Sequence, residues 1–117
     1  MNQITTTERF LAAAAHVGFM AAGIGFLLVP LLILIVWGKK SQFVSGHAKQ
    51  ALYMQIGAII VTSAAILLAV FTGPVLATGL AITLLTIGWV VFAIVGAVKA
   101  VSGDEFVYPL LRLMGIN

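Results

Sequence analysis

The chain has 117 residues, of which 62% are apolar and 8% are charged, and its mean hydropathy is +1.21. A water-soluble domain carries roughly a quarter charged residues, so this composition excludes an ordinary soluble protein and predicts one membrane domain over residues 1–117. The net charge of +3 comes without a basic run that alternates with aromatic residues, so we expect no nucleic-acid partner. The absence of cysteine excludes disulfides and thiolate metal sites.

The first apolar block runs from Phe10 to Trp37 and is preceded by a helix-start signal. Thr5-x-x-Glu8 has the spacing of a capping box, which predicts a helix from about residue 6. Because Glu8 offsets the neighbouring basic residue and the apolar run is long, we interpret this segment as retained rather than as a cleaved signal peptide.

This first block is too long for one upright membrane span, and two interpretations remain open. One is a hairpin of two short helices, broken near Gly23-Ile24-Gly25, where two glycines weaken the helix. The other is a single tilted helix that is kinked at Pro30. The hairpin places Arg9 on the same side as the other basic residues, so the positive-inside rule favours it.

Two further apolar blocks, Ala48 to Phe71 and Val75 to Val98, each fit one span and are separated by Thr72-Gly73-Pro74. Ser41 or Ser45 is a candidate cap for the helix that enters the second block. After a break at Gly103 and Asp104, Pro109 opens a short interfacial helix.

The predicted fold class is therefore an all-α membrane protein, a small polytopic transmembrane helical bundle. We expect four helices with a short N-terminal hairpin, with three spans as the alternative. The basic residues predict that both termini and the Lys39–Lys49 loop face the cytoplasm, in the plasma (inner) membrane of a prokaryote.

Six polar residues are candidates for a polar seam or an interaction site: His16, His47, Lys49, Gln55, Thr62 and Tyr108. At helical spacing, the small and polar residues between His47 and Thr62 form one stripe, which fits a packing seam better than a polar path or a ligand site. An ionisable side chain inside a membrane is a functional hypothesis, but for His16 we favour a neutral imidazole bonded to a neighbouring helix. We expect His47 to reach a helix end or the Tyr108-Pro109 segment.

Catalytic and metal-binding patterns are missing from the sequence. No phosphate-binding loop, catalytic triad or pair of facing carboxylates can be drawn, so we expect a protein that is not an enzyme and has no cofactor. Two histidines with Gln55 make a poor metal site because a third strong ligand is lacking. All three acidic residues lie outside the apolar blocks, which argues against a proton-relay transporter.

Several strings, taken together in this order, resemble the membrane family called domain of unknown function 4870: Ala15-His16, Phe43-Val44-x-x-His47-Ala48-Lys49-Gln50-Ala51-Leu52-x-x-Gln55 and Tyr108-Pro109. That family is similar to the twenty-kilodalton subunit of the chloroplast inner-envelope protein translocon, and the resemblance runs from about Arg9 to Pro109. It implies a four-helix protein with a first hairpin and a role as an assembly or channel subunit, linked to protein translocation.

The leading functional hypothesis is a non-enzymatic membrane subunit that packs against itself or against other membrane proteins. Small residues at four-residue spacing support it: Ala14, Gly18 and Ala22 in the first block, and Gly88, Gly96 and Ala100 in the third. The alternative is a small oligomeric channel or transporter lined by the polar stripe, and a third possibility is a metal- or heme-binding membrane protein. The lipid bilayer is a partner in each case.

Overall fold

The computed structural model describes residues 3–18 and 25–115, and it is helical over most of that length with no strand in those ranges. Five helices follow one another: α1 (Thr6–Val17), α2 (Gly25–Trp37), α3 (Gln42–Thr72), α4 (Val75–Val101) and α5 (Pro109–Leu113). The predicted all-α fold class is confirmed to this extent.

The helix ends follow the local signals in the sequence. The Thr5 side chain accepts a hydrogen bond from the Glu8 amide at 3.2 Å, and the Glu8 carboxylate accepts one from the Thr5 amide at 2.7 Å, so the capping box that starts α1 is confirmed. Ser41 caps α3 through the Val44 amide at 3.2 Å. Gly73 ends α3 with φ 88°, a left-handed conformation that glycine adopts without a steric cost.

The buried core lies at one end of an elongated molecule that measures 56 × 27 × 21 Å. At this end α1 packs against α3 and α4, and α2 packs against α3. One cluster joins Ala12, Phe43, Val44 and Ala100, and a second joins Ala15, Ala48 and Ala51. Alanine at these contacts allows the helix axes to approach closely.

Among the described residues, the other end of the molecule consists of α3 and α4. Between Gln55 and Ala93 no residue is buried, and large apolar side chains such as Leu68 and Phe71 are exposed. Both helices are long and apolar enough to cross a membrane, and no charged residue occurs between Lys49 and Lys99. An exposed apolar surface of this extent needs lipid or another protein against it.

The first apolar block forms two helices, α1 and α2, each shorter than a membrane span. They touch near their linked ends, where a Cβ on Gly18 would lie 2.6 Å from the Val29 side chain. The predicted break at Gly23-Ile24-Gly25 falls mainly on residues 19–24, outside the described residues, and the number of spans stays a prediction. Pro30 lies inside α2 and is buried.

The small-residue seams agree with the prediction in part, since Gly18 is buried and lies close to Val29. In α1 the fully buried alanines are Ala12 and Ala15, whereas Ala14 is half-buried. In α4, Gly96 and Ala100 pack as expected, but a Cβ on Gly88 would meet nothing within 4 Å. Ala22 lies outside the described residues.

Candidate functional site

Three of the six predicted polar residues meet in one buried cluster at the packed end of the bundle. His16 on α1, His47 on α3 and Tyr108 after α4 are each at most 2% exposed. The His16 Nδ1 atom lies 2.8 Å from the Tyr108 hydroxyl, and the His16 Nε2 atom lies 2.8 Å from His47 Nδ1. The His47 Nε2 atom lies 2.9 Å from the Asp104 carbonyl oxygen. The four groups form a continuous hydrogen-bonded chain.

The direction of every bond in this chain follows from its last member. The Asp104 carbonyl can only accept, so His47 Nε2 carries the hydrogen and, in the neutral ring, His47 Nδ1 accepts. His16 Nε2 therefore donates to His47, and His16 Nδ1 accepts from the Tyr108 hydroxyl. Two neutral imidazoles with hydrogen on Nε2 thus satisfy all four ring nitrogens at once.

The imidazole of His16 has room only because α4 carries glycine opposite it. A Cβ built on Gly96 would lie 2.7 Å from His16 Nδ1 and 3.0 Å from Cγ, well inside contact distance. On the other sides the rings of His47, Phe106 and Tyr108 surround His16, with centroids 5.0, 6.0 and 5.6 Å away. Helix spacing and ring packing therefore hold His16 in one orientation.

The segment after α4 is fixed to α3 by a further bond. The Tyr108 amide donates to the side-chain carbonyl of Gln50 at 3.1 Å, and Gln50 is itself 3% exposed. Burial raises the pKa of the Tyr108 hydroxyl above its ordinary value, which keeps the phenol protonated as a donor. Phe43 adds an edge contact to His47 at 4.6 Å between centroids.

A cleft of about 210 Å³ opens beside His47, between the start of α3 and the segment that follows α4. Amide, aromatic and carboxylate side chains line it, among them Gln42, Phe43, Gln50, Glu105 and Phe106. Glu105 is exposed, so water screens its charge. The cleft connects the buried cluster to the molecular surface at the end that holds the core and carries the charged residues, called the charged end below.

The other three predicted residues do not join this cluster. Lys49 is exposed, and Thr62 is half-buried in the part of α3 that projects from the core. Gln55 is 1% exposed on the inner face of α3, and its side-chain oxygen has no hydrogen-bond partner among the described residues. The role predicted for these three residues stays a prediction.

Sequence reasoning missed Gln50, Phe106 and the Asp104 carbonyl. Gln50 stands in the polar string at the start of the second block, and its position one helical turn from His47 was the only available signal. Among the described residues no group of three or more histidine and acidic side chains could hold a metal. The four ring nitrogens of the two imidazoles bond to each other, to the Tyr108 hydroxyl and to the Asp104 carbonyl. Through its hydrogen bonds, the cluster links α1, α3 and the segment after α4 to one another.

Residues 7–114 match the MamF/MmsF family, described as the magnetosome magnetite crystal formation protein family. No curated protein and no solved structure matches the chain. The assignment to the domain of unknown function 4870 family and to a relative of the chloroplast translocon was therefore wrong, because the matching family covers nearly the whole chain. The link to protein translocation rested on that assignment and is withdrawn with it.

Proposed function

Because the chain belongs to the magnetosome magnetite crystal formation protein family, a family of small membrane proteins, we propose that it serves crystal formation as a non-enzymatic subunit of the magnetosome membrane. It acts by packing against further copies of itself or against other membrane proteins. The observation that carries this proposal is the family match over residues 7–114, together with an exposed apolar surface on two long helices.

The arrangement in the membrane supports a subunit role. We propose four helices in the bilayer, with α3 and α4 as full spans and α1 with α2 as a short hairpin that enters from the charged end. At about 1.5 Å per residue, helices of 12 and 13 residues extend roughly 20 Å, which reaches only part of the way across. In the far half of the bilayer, the projecting part of α3 and α4 then lacks neighbours from the described residues of its own chain.

The charged end is proposed to face the cytoplasm. Arg9 packs against Gly103, and the Trp37 ring lies below the Lys40 ammonium group at 5.2 Å, so these cations gather at the end that holds the core. Basic residues concentrate on the cytoplasmic side of membrane proteins. A channel would need a polar path across the whole membrane. The hydrogen-bonded residues from Tyr108 through His16 and His47 to Asp104 all lie at this one end, so we do not favour a channel.

Deletion of the gene in a magnetite-forming bacterium tests the role in crystal formation. We expect smaller or fewer crystals in electron micrographs, and restoration by the parent chain. Crystals of unchanged number and size after deletion would contradict the proposal. The subunit role is tested separately by the mass of the chain extracted from magnetosome membranes in mild detergent, where a lone monomer would exclude stable assembly.

A further inference from the structure

We propose that residues 104–113 form a strap that protons release from the helix bundle, with the His16–His47 pair as the proton-binding site. The strap comprises the segment after α4 together with α5. Acid charges the two imidazoles, the hydrogen-bonded chain breaks, and the strap separates from α1 and α3. This inference concerns the state of the molecule and does not depend on the proposed function.

Two of the hydrogen bonds that join the strap to the rest of the bundle are made by the two imidazoles. Tyr108 bonds to His16, and the Asp104 carbonyl accepts from His47. Two further bonds are independent of them: the Tyr108 amide donates to Gln50 at 3.1 Å, and the Asp104 amide donates to the Lys99 carbonyl at 2.9 Å where the strap leaves α4. Tyr108 and Leu111 are the buried side chains of the strap, whereas Leu110 and Leu113 are 57% and 86% exposed. The hold on the strap therefore depends on the protonation state of the pair.

The neutral pair fits its site in one way, a first added proton requires the pair to rearrange, and a second breaks the bond between the rings. A proton on His47 Nδ1 would point at His16 Nε2, which already carries hydrogen. His16 would have to move its hydrogen to Nδ1, and the Tyr108 hydroxyl would have to turn from donor to acceptor. With both rings charged, two N–H groups would oppose each other across 2.8 Å, and no hydrogen bond can exist there. Charge also enters two rings that are each at most 2% exposed, where desolvation makes it costly.

The groups around the pair do little to balance such a charge. On α4 the residue against His16 is Gly96, and Lys99 is exposed. On α1, Arg9 packs against Gly103, and on α3, Lys49 is exposed, so both add positive charge at this end. The strap itself contributes three exposed charges and the buried, neutral phenol of Tyr108; the exposed charges are Asp104, Glu105 and Arg112.

Of these groups, only the Glu105 carboxylate lines the cleft beside His47, and water screens it there. Once the strap has separated, both imidazoles meet water and bind protons near their ordinary pKa of about 6.5. The open form then binds more protons than the closed form, so opening increases as the pH falls below that value.

Thiol labelling of the full-length, cysteine-free chain in detergent tests this directly. Leu111→Cys places a thiol at a buried position of the strap, and Leu113→Cys is the matched control at an exposed position of the same helix. The ratio of their labelling rates removes the ordinary pH dependence of the thiol. We expect the ratio to rise below about pH 6.5, by up to about tenfold per pH unit for each proton bound. A ratio that stays constant from pH 8 to pH 5 would overturn the proposal.

The double variant His16→Gln/His47→Gln separates the imidazoles from the carboxylates. Glutamine keeps a donor and an acceptor at each position but does not titrate. We expect a low ratio at all pH values, and a pH-dependent rise equal to that of the parent would assign the effect to Glu8, Asp104 or Glu105 instead. Nitrogen NMR of labelled histidines in the parent gives an answer that does not require the variant to fold. Both rings should be neutral with hydrogen on Nε2 at pH 8 and should become charged at the pH where the strap opens; opening with neutral rings would overturn the proposal.

Discussion

Three helices and the strap meet at His16. It belongs to α1, bonds to His47 of α3 and to Tyr108 of the strap, and lies against Gly96 of α4. A polar ring buried at this point would destabilise the fold if either nitrogen lacked a partner. Both nitrogens are bonded, so His16 stabilises the packing of the helices rather than weakening it.

Removal of the Tyr108 hydroxyl should weaken the cluster without changing ring packing. In Tyr108→Phe the acceptor on His16 Nδ1 loses its donor, and the expected cost is about 1–3 kcal/mol in the free energy of unfolding. Thermal unfolding in detergent measures it. Tyr53→Phe, at a 41% exposed position on α3, is the matched control and should leave the midpoint unchanged. Equal midpoints for the two variants would contradict the assigned bond.

Substitution of His47 distinguishes its hydrogen bonds from its bulk. His47→Ala removes bonds to His16 and to the Asp104 carbonyl, so we expect a loss of about 2 kcal/mol at roughly 1 kcal/mol for each bond. His47→Gln retains a donor and an acceptor and should lose less. Chemical denaturation in detergent ranks the two variants against the parent. If glutamine is as harmful as alanine, the shape of the ring rather than its bonding stabilises the site.

At the scale of the elements, α4 is predicted to tolerate a methyl group at one glycine and not at another. A Cβ at position 96 collides with the His16 ring, which two hydrogen bonds hold in place, so Gly96→Ala should cost about 1–3 kcal/mol. Gly88→Ala places the same methyl in open space on the same helix and should be neutral or slightly stabilising. Melting temperatures in detergent compare them, and equal losses would show that α4 does not approach His16 as described.

Local signals and long apolar runs predicted much of the helical pattern. The capping box gave the start of α1, and the turn at Gly73 separates α3 from α4 as expected. The apolar run alone did not give the start of α3, but the predicted cap at Ser41 did, and buried Phe43 and Val44 extend that helix ahead of the block. An average of hydropathy over a window carries no information about a capping hydrogen bond or a packing contact.

The cluster could be predicted only in part. His16, His47 and Tyr108 were identified singly as polar residues in an apolar chain, but the bond between His16 and Tyr108 joins residues 92 positions apart. That contact depends on the register in which α1 packs against α4, and no periodicity in either helix fixes such a register. The strings that suggested the wrong family contain these same residues, which build the packing of the bundle and do not identify a family.

At the scale of the whole molecule, the fold separates two kinds of surface. The end that holds the core carries the charged residues, whereas the projecting part of α3 and α4 has only uncharged side chains exposed to its surroundings. Such a division fits a bilayer that covers the apolar part and leaves the charged end at one headgroup layer. The orientation of that end then decides which compartment the strap and the cleft face.

The orientation is predicted by the positive-inside rule and can be measured in a bacterial host that inserts the chain into its inner membrane. Lys40→Cys and Gln3→Cys, both exposed at the charged end, should resist a membrane-impermeant thiol reagent in spheroplasts, because that end faces the cytoplasm. Val75→Cys, which is 69% exposed at the opposite end, should react. Detergent permeabilisation is the control and should make all three react.

The combination of labels also decides between four and three spans. A short hairpin of α1 and α2 returns the chain to the side on which it entered, so residue 3 and residue 40 share one compartment. Three spans place them in different compartments, and labelling at Gln3 without labelling at Lys40 would establish that alternative. Labelling at Lys40 without labelling at Val75 would show that the molecule has the opposite orientation in the membrane. The strap would then be exposed to the pH of the other compartment.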